Sequence, residues 1–177
     1  MTDLWTVHTA DLEATVLTAA RALLDDAFDG DFSDDDWANA LGGMHTLVWE
    51  GGELIGHASL VQRRLVHNGR ALRTGYVEAV AVRSDRRRRG HGDAMMDALE
   101  RVTRKAYDVG ALSASDEALE FYASRGWQLW RGPSSAMTPS GVKATKEEDG
   151  SIHVLPVGGA LDLDGELTCD YREGDVW

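Results

Sequence analysis

The sequence predicts one α/β domain over residues 1–177, with a mixed central sheet and flanking helices. Its 177 residues with 43% hydrophobic content suffice for one substantial core. Between residues 44 and 82, apolar strand-like runs are separated by Glu50-Gly51-Gly52-Glu53 and Asn68-Gly69, which reads as an antiparallel meander. From Gly75, a strand, a glycine turn, a helix and a further strand follow. That order calls for parallel pairing through a right-handed crossover.

The elements follow in order. Trp5–His8 reads as a short strand. Thr9 or Asp11 can cap a helix running to about Phe28, with Leu12, Val16, Leu23 and Ala27 at helical spacing, and Gly30 ends it. Ser33 with Asp36 has the form of a capping box opening a short helix that carries Trp37 and Leu41. Met44–Trp49, Leu54–Gln62 and Ala71–Val82 are the three meander strands. A helix from Gly92 to about Tyr107 places Met95, Leu99, Val102 and Ala106 on one face. Ala111–Ser115 is the next strand, and the helix opened by Asp116 is stopped by Gly126. Trp127–Trp130 resumes as a strand, 133–150 reads as a long irregular loop, Ser151–Val157 alternates as a strand, and Leu161–Asp170 is a weak final strand.

The formal charge of −12 argues against nucleic acid as the main partner. Residues 1–74 hold 12 acids against 5 bases, 75–132 hold 9 against 10, and 133–177 hold 9 against 3. A near-neutral centre between acidic flanks suits an anionic ligand in the middle and a cationic one outside; acidic flanks also simply aid solubility. No apolar run is long enough to span a membrane, and the N-terminus lacks a basic segment followed by an apolar one, so a cytoplasmic protein is expected. One cysteine, Cys169, leaves no disulfide framework or cysteine-based metal site. The six histidines show no HxH or HxxxH spacing and read as packing or surface residues, so no metal is expected.

The stretch G-Y-V-E-A-V-A-V-R-S-D-R-R-R-R-G-H-G, 75–92, carries the chemistry. Glu78 lies inside an apolar strand, where a carboxylate costs energy unless it is paired, for example with Arg73, or working. Arg87, Arg88, Arg89, Gly90, His91 and Gly92 form R-x-x-G-x-G at the start of a helix. Helix N-terminal amides lack intrahelical acceptors and bind anions when aimed at one point, and glycine lets a ligand approach the backbone. A solvated arginine loop is the plain alternative. Tyr122 follows about thirty residues later in a short helix, as a catalytic donor or a core residue. With parallel strands on either side of the turn, a phosphate-bearing ligand would sit outside their carboxyl ends. The set suits acyl transfer to an amine. Glu78 removes a proton, a backbone amide near Val80 polarises the carbonyl, and Tyr122 serves the leaving group.

V-A-V-R-S-D-R-R-R-R-G-H-G followed by L-E-F-Y-A-S-R-G-W resembles the acetyl-CoA core of the Gcn5-related N-acetyltransferase (GNAT) superfamily, over about 75–130. A-F-D-G-D-F, L-G-G-M-H, Q-R-R-L, G-Y-V-E-A-V-A-V and the terminal C-D-Y-R-E-G-D-V-W extend the likeness to the aminoglycoside 2′-N-acetyltransferases over nearly the whole chain. The resemblance implies acetyl-CoA held at Val80, Ala81, Val82 and Arg87–Gly92, with direct transfer in a ternary complex. It implies Glu78 as base through water and Tyr122 as acid. It also implies a cationic amino sugar held by Asp31, Glu78, Ser113, Glu148, Asp175 and the carboxylate of Trp177, drawn from acidic segments at about 28–45 and 133–177. A homodimer through 151–170 is implied as well. An acetyltransferase for a cell-wall amino sugar or other polyamine, and a non-catalytic acetyl-CoA-binding domain, are the competing readings.

Overall fold

The computed structural model describes residues 2–177. The strands are β1 (Thr2–His8), β2 (Met44–Glu50), β3 (Glu53–His67), β4 (Arg70–Val82), β5 (Val109–Ser113), β6 (Gln128–Leu129), β7 (Ser134–Thr138), β8 (Gly141–Ala144), β9 (Ile152–Pro156) and β10 (Leu167–Cys169). The helices are α1 (Ala14–Ala27), α2 (Asp34–Ala40), α3 (His91–Ala106) and α4 (Leu119–Ser124). The strands form one mixed sheet in the order β6-β9-β5-β4-β3-β10-β7-β8, with β2 on β3 and β1 on β2. The expected parallel pairing is present: Thr74–Tyr76 of β4 runs beside Val109–Ala111 of β5. A second parallel pair, β10 with β7, had no signal in the sequence.

Contacts divide the chain into two compact units. The first holds the residues up to Val61 together with Val77–Val102. Here β1 pairs with β2 along its whole length, and β2 pairs antiparallel with β3. Gly56 of β3 faces α3 so closely that a Cβ would lie 3.2 Å from Met95 Sδ and from Val48 Cβ. The helix therefore packs on the strand with Met95, Met96, Ala98 and Leu99 buried. Ala106, expected on the same face, is exposed, because the helix is ending there. Leu24 of α1, Phe32 and Ala81 form a cluster against which Trp37 and Ala79 pack. The capping box is formed as expected: Ser33 Oγ accepts from the Asp36 amide and Asp36 Oδ2 accepts from the Ser33 amide. The cap expected for α1 is not. Thr9–Asp11 makes a 3₁₀ turn, and Glu13 holds the cap position without a side-chain bond. The Thr9 hydroxyl is used elsewhere, accepting from the Gly42 amide at 2.9 Å.

The second unit comprises Gln62–Tyr76 and Thr103–Trp177. β9 pairs with β5 on one edge and β6 on the other. The stretch read as an irregular loop at 133–150 instead contains the β7–β8 hairpin. Its strands are five and four residues long, too short for alternation to register. Hydroxyl contacts add to its ladder: Ser134 Oγ lies 2.7 Å from Thr145 Oγ1 and donates to the Thr145 carbonyl. The final strand is only Leu167–Cys169, and the preceding stretch closes on Arg131 through Asp164.

Arg63 is the buried charge of this unit, only 4% exposed. Its Nε meets Asp170 Oδ1 at 2.8 Å, and Nη2 donates to the carbonyls of Asp170 and Val176. Its guanidinium carbon lies 4.6 Å from the centre of the Tyr76 ring, and that of Arg172 lies 5.3 Å away. Losing one partner of a buried pair costs about 3–5 kcal/mol, less where the other partner reaches solvent, as Asp170 does. We expect Arg63→Leu to lower stability by about 2–4 kcal/mol in urea titrations. It should also raise hydrogen exchange in 170–177 before the rest of the chain.

Candidate active site

The first unit builds its part of the site at the end of β4. Glu78, Ala79 and Val80 are all half-buried, so the in–out alternation expected there is broken. The cause is Ala79, which has φ 50° and so sits in the left-handed region that residues with a Cβ avoid. Its carbonyl accepts from His57 Nδ1 at 2.8 Å, and the Glu78 carbonyl accepts from Ser59 Oγ at 3.4 Å. A kink of this kind re-aims side chains and amides at a strand end. Here it does so at the carboxylate and at the amide that sequence reasoning selected.

Beyond Val82, the chain turns through Arg83–Gly90 into α3. Arg83 is ion-paired with Glu53 and Asp85, and Arg86 with Glu50 and Asp85. These two arginines pin the turn to the β2–β3 hairpin. Arg87, Arg88 and Arg89 are exposed. Arg87 Nε donates to the Val82 carbonyl, and Arg89 Nη2 to that of Asp85. Arg88 at φ 60° and Gly90 at φ 81° give the turn its tight form. The earliest bond of the helix ladder is from the Ala94 amide to the Gly90 carbonyl, so the amides of His91, Gly92 and Asp93 precede the ladder. His91 Nε2 is buried without a partner. Preceding amides, exposed arginines and an unanswered ring nitrogen fit a phosphate-bearing ligand. Asp31, also in this unit, is exposed just after α1.

The second unit gathers other predicted residues. Ser113 ends β5, and its Oγ donates to Glu148 Oε2 at 3.3 Å and to Ser151 Oγ at 3.0 Å. Ser151 Oγ also lies 2.9 Å from Glu148 Oε2. Burial pushes the Glu148 carboxyl above its usual range, opposed by the Ser151 and Ser113 hydroxyls and aided by the Asp175 charge. Glu148 and Asp149 line a cleft of ≈ 190 Å³ with Trp130, Arg131 and Ile152; no other predicted site residue lines it. Asp175 is exposed. Trp177 is buried, its Nε1 donating to Thr145 Oγ1 at 2.9 Å and its amide to Asp175 Oδ1. One Trp177 oxygen accepts from Arg172 Nη2 at 2.7 Å, a clamp that sequence reasoning missed. Tyr122 lies in α4, 6% exposed, and burial pushes its hydroxyl up to about 12, so it stays protonated near neutrality. Arg73, considered as a partner for Glu78, is engaged with Asp108 instead.

Two histidines read as ordinary packing residues are wired together. His45 Nδ1 lies 2.9 Å from His57 Nε2, both rings are fully buried, and burial pushes each down to about 4. Cys169 is buried and its thiol is raised to about 11 by burial, so no thiolate is available near neutrality. Among the described residues, no group of three His, Cys, Asp or Glu is placed to hold a metal ion. Nor is any helix among them long and apolar enough to cross a membrane.

The chain matches the family model described as an acetyltransferase (GNAT) domain over residues 9–130. It is 54% identical over 175 residues to an aminoglycoside 2′-N-acetyltransferase of Mycolicibacterium fortuitum, covering 97% of this chain and 90% of that protein. Among solved structures it is similar to Escherichia coli ElaA (TM-score 0.61, 23% identity, 87% of this chain and 97% of the other). It is also similar to a Brucella melitensis GNAT acetyltransferase in complex with acetyl-CoA (TM-score 0.61, 14% identity, 93% and 94%).

The buried imidazoles set an acid limit. Their native values, about 4, lie below the ordinary value of 6.5. Between those values the unfolded chain binds protons that the native chain does not, so stability falls as pH drops from about 6.5 towards 4. Melting temperature against pH should fall over that window in the wild type and less steeply in His45→Gln.

Proposed function

The chain belongs to the GNAT acetyltransferase family and is closely related to the aminoglycoside 2′-N-acetyltransferases, and we propose that it moves an acetyl group from acetyl-CoA to the 2′-amine of an aminoglycoside. The carrying observation is the end of β4, where the carboxylate of Glu78, the kinked Ala79, the Val80 amide and the N-terminus of α3 follow one another within fifteen residues. The backbone of Val80, Ala81 and Val82 and the turn Arg87–Gly92 would hold the acyl carrier, with the amides before Ala94 and the exposed arginines meeting its phosphates. Acetyl-CoA supplies an activated thioester.

Glu78 takes a proton from the attacking ammonium through water, leaving a neutral amine. The Val80 amide stabilises the oxyanion as the C–N bond forms. Tyr122, kept protonated by its burial, gives its proton to the departing sulfur as the C–S bond breaks; the new amide nitrogen sheds its second proton to water, and the tyrosine regains one from the same solvent. No protein nucleophile takes part, in keeping with the high value of the Cys169 thiol.

An aminoglycoside is a hydrophilic polycation, so its recognition rests on carboxylates. Asp31, Glu148 and Asp175 are the acids proposed to serve it, with Ser113 and the Trp177 carboxylate. Arg172 stands as the positioning partner of that last group. Because the Glu148 carboxyl is raised, its share of the attraction fades on acidification earlier than that of an ordinary glutamate. The related reading, acetylation of a cell-wall amino sugar or other polyamine, uses the same residues. We also propose a homodimer. β9 has both edges used within the chain, whereas β8 is exposed throughout, so β8 is the edge we would expect to carry it.

CoA release measured with acetyl-CoA and a matched pair of aminoglycosides tests the function. Release with the 2′-amine compound and none with its 2′-hydroxyl counterpart is expected; equal release with both would move the transfer to another amine. Glu78→Gln should lower kcat by about 10²-fold or more while leaving acetyl-CoA affinity intact. A variant that kept full turnover would remove Glu78 from the mechanism.

A further inference from the structure

The kink at Ala79 is held from outside β4. A carbonyl only accepts, so the 2.8 Å contact between His57 and the Ala79 oxygen requires the proton on His57 Nδ1. In a neutral ring, Nε2 is then an acceptor. His45 Nδ1, 2.9 Å away, must be the donor to it. That leaves His45 Nε2 as an acceptor for the Thr9 hydroxyl, which lies 2.7 Å from it and 3.2 Å from its other acceptor, the Gly43 carbonyl. Thr9 Oγ1 is oriented in turn by the Gly42 amide, which donates to it at 2.9 Å. One carbonyl thus sets the proton positions of both neutral rings, and the shorter of the two Thr9 contacts completes the chain. Both rings are fully buried, and Trp37 covers His57 with ring centres 6.3 Å apart. A second proton on the His57 ring, at Nε2, would set two N–H groups against each other.

Resting on the acyl-transfer reading above, we propose that His57 and His45 are positioning residues: His57 Nδ1–H holds the Ala79 peptide in its left-handed conformation, and His45 locks His57 in the tautomer that can do so. The peptide held lies between the Glu78 carboxylate and the Val80 amide. Ser59, donating to the Glu78 carbonyl, supports the same kink one residue earlier. Simple packing would need the volume of the two rings but not the direction of their protons.

The test separates proton direction from volume. ¹⁵N spectra of histidine-labelled protein near pH 7 should find both rings neutral with the proton on Nδ1, and His45→Leu should let His57 leave that tautomer. Misplacing a reacting group by about 1 Å costs about 10²-fold, so His57→Phe is expected to lose at least about tenfold in kcat with KM for acetyl-CoA little changed. His57→Asn, whose amide nitrogen occupies the place of Nδ1, should recover most of the loss, whereas His57→Gln, whose amide falls nearer Nε2, should not. The backbone amide signals of Ala79 and Val80 should shift in the Phe and Gln variants and return in Asn. An Nε2–H tautomer for His57 overturns the proposal, as do equal kcat values in the Asn and Gln variants, a comparison that stands even if the Phe variant does not fold. If the wild type leaves the 2′-amine untouched, the acceptor reading fails on its own, and the tautomer and amide signals still decide the positioning role.

Discussion

The constraint on which the first unit depends is a single peptide. Ala79 carries a Cβ and still adopts a positive φ, a conformation that costs about 1–2 kcal/mol outside glycine. It persists because its surroundings over-determine it. Leu24, Phe32 and Ala81 pack at its side, His57 donates to its carbonyl, and Ser59 donates to the carbonyl before it. A strand that kept its pleat would alternate Glu78, Ala79 and Val80 between faces. The kink leaves all three half-buried, which keeps a carboxylate in an apolar strand within reach of water.

Charge is used in two ways. Arg83 and Arg86 spend theirs on Glu50, Glu53 and Asp85, fastening the turn to the hairpin beside it. Arg87–Arg89 bond through their side chains only to nearby backbone or remain exposed. In the second unit, buried Arg63 and half-buried Arg172 hold the last residues by donating to backbone oxygens of Asp170, Asp175, Val176 and Trp177. A protein of net charge −12 thus relies on a few arginines, each with a defined acceptor.

The sequence was most legible where local chemistry is strong. Asn68-Gly69 turned the chain with both residues at positive φ, Ser33 and Asp36 closed their capping box, and the glycine turn opened α3. It was least legible where short strands find partners far along the chain. The β7–β8 hairpin and the parallel β10–β7 pair have too few residues for a period and are held by distant neighbours. Thr9 looked like a helix cap because its hydroxyl suits one; the competing acceptor, His45, is 36 residues away.

The histidine pair marks the division between the two sources of information. Residue types and spacing determined that strands over about 44–49 and 54–62 form a hairpin, that a carboxylate lies in the strand before a glycine turn, and that the ends of the chain are acidic. They did not determine which face each histidine takes. Counted back from the Glu50–Glu53 turn, a regular ladder would put His57 opposite Thr46, on the other face from His45. A register shift between Val48 and Trp49 sets His57 opposite Leu47 instead, and so on the same face as His45. One extra residue in a strand has no composition or period by which to read it. Only the folded sheet, with α3 against Gly56 and Ile55 accepting from the Arg83 amide, decides that the two rings meet.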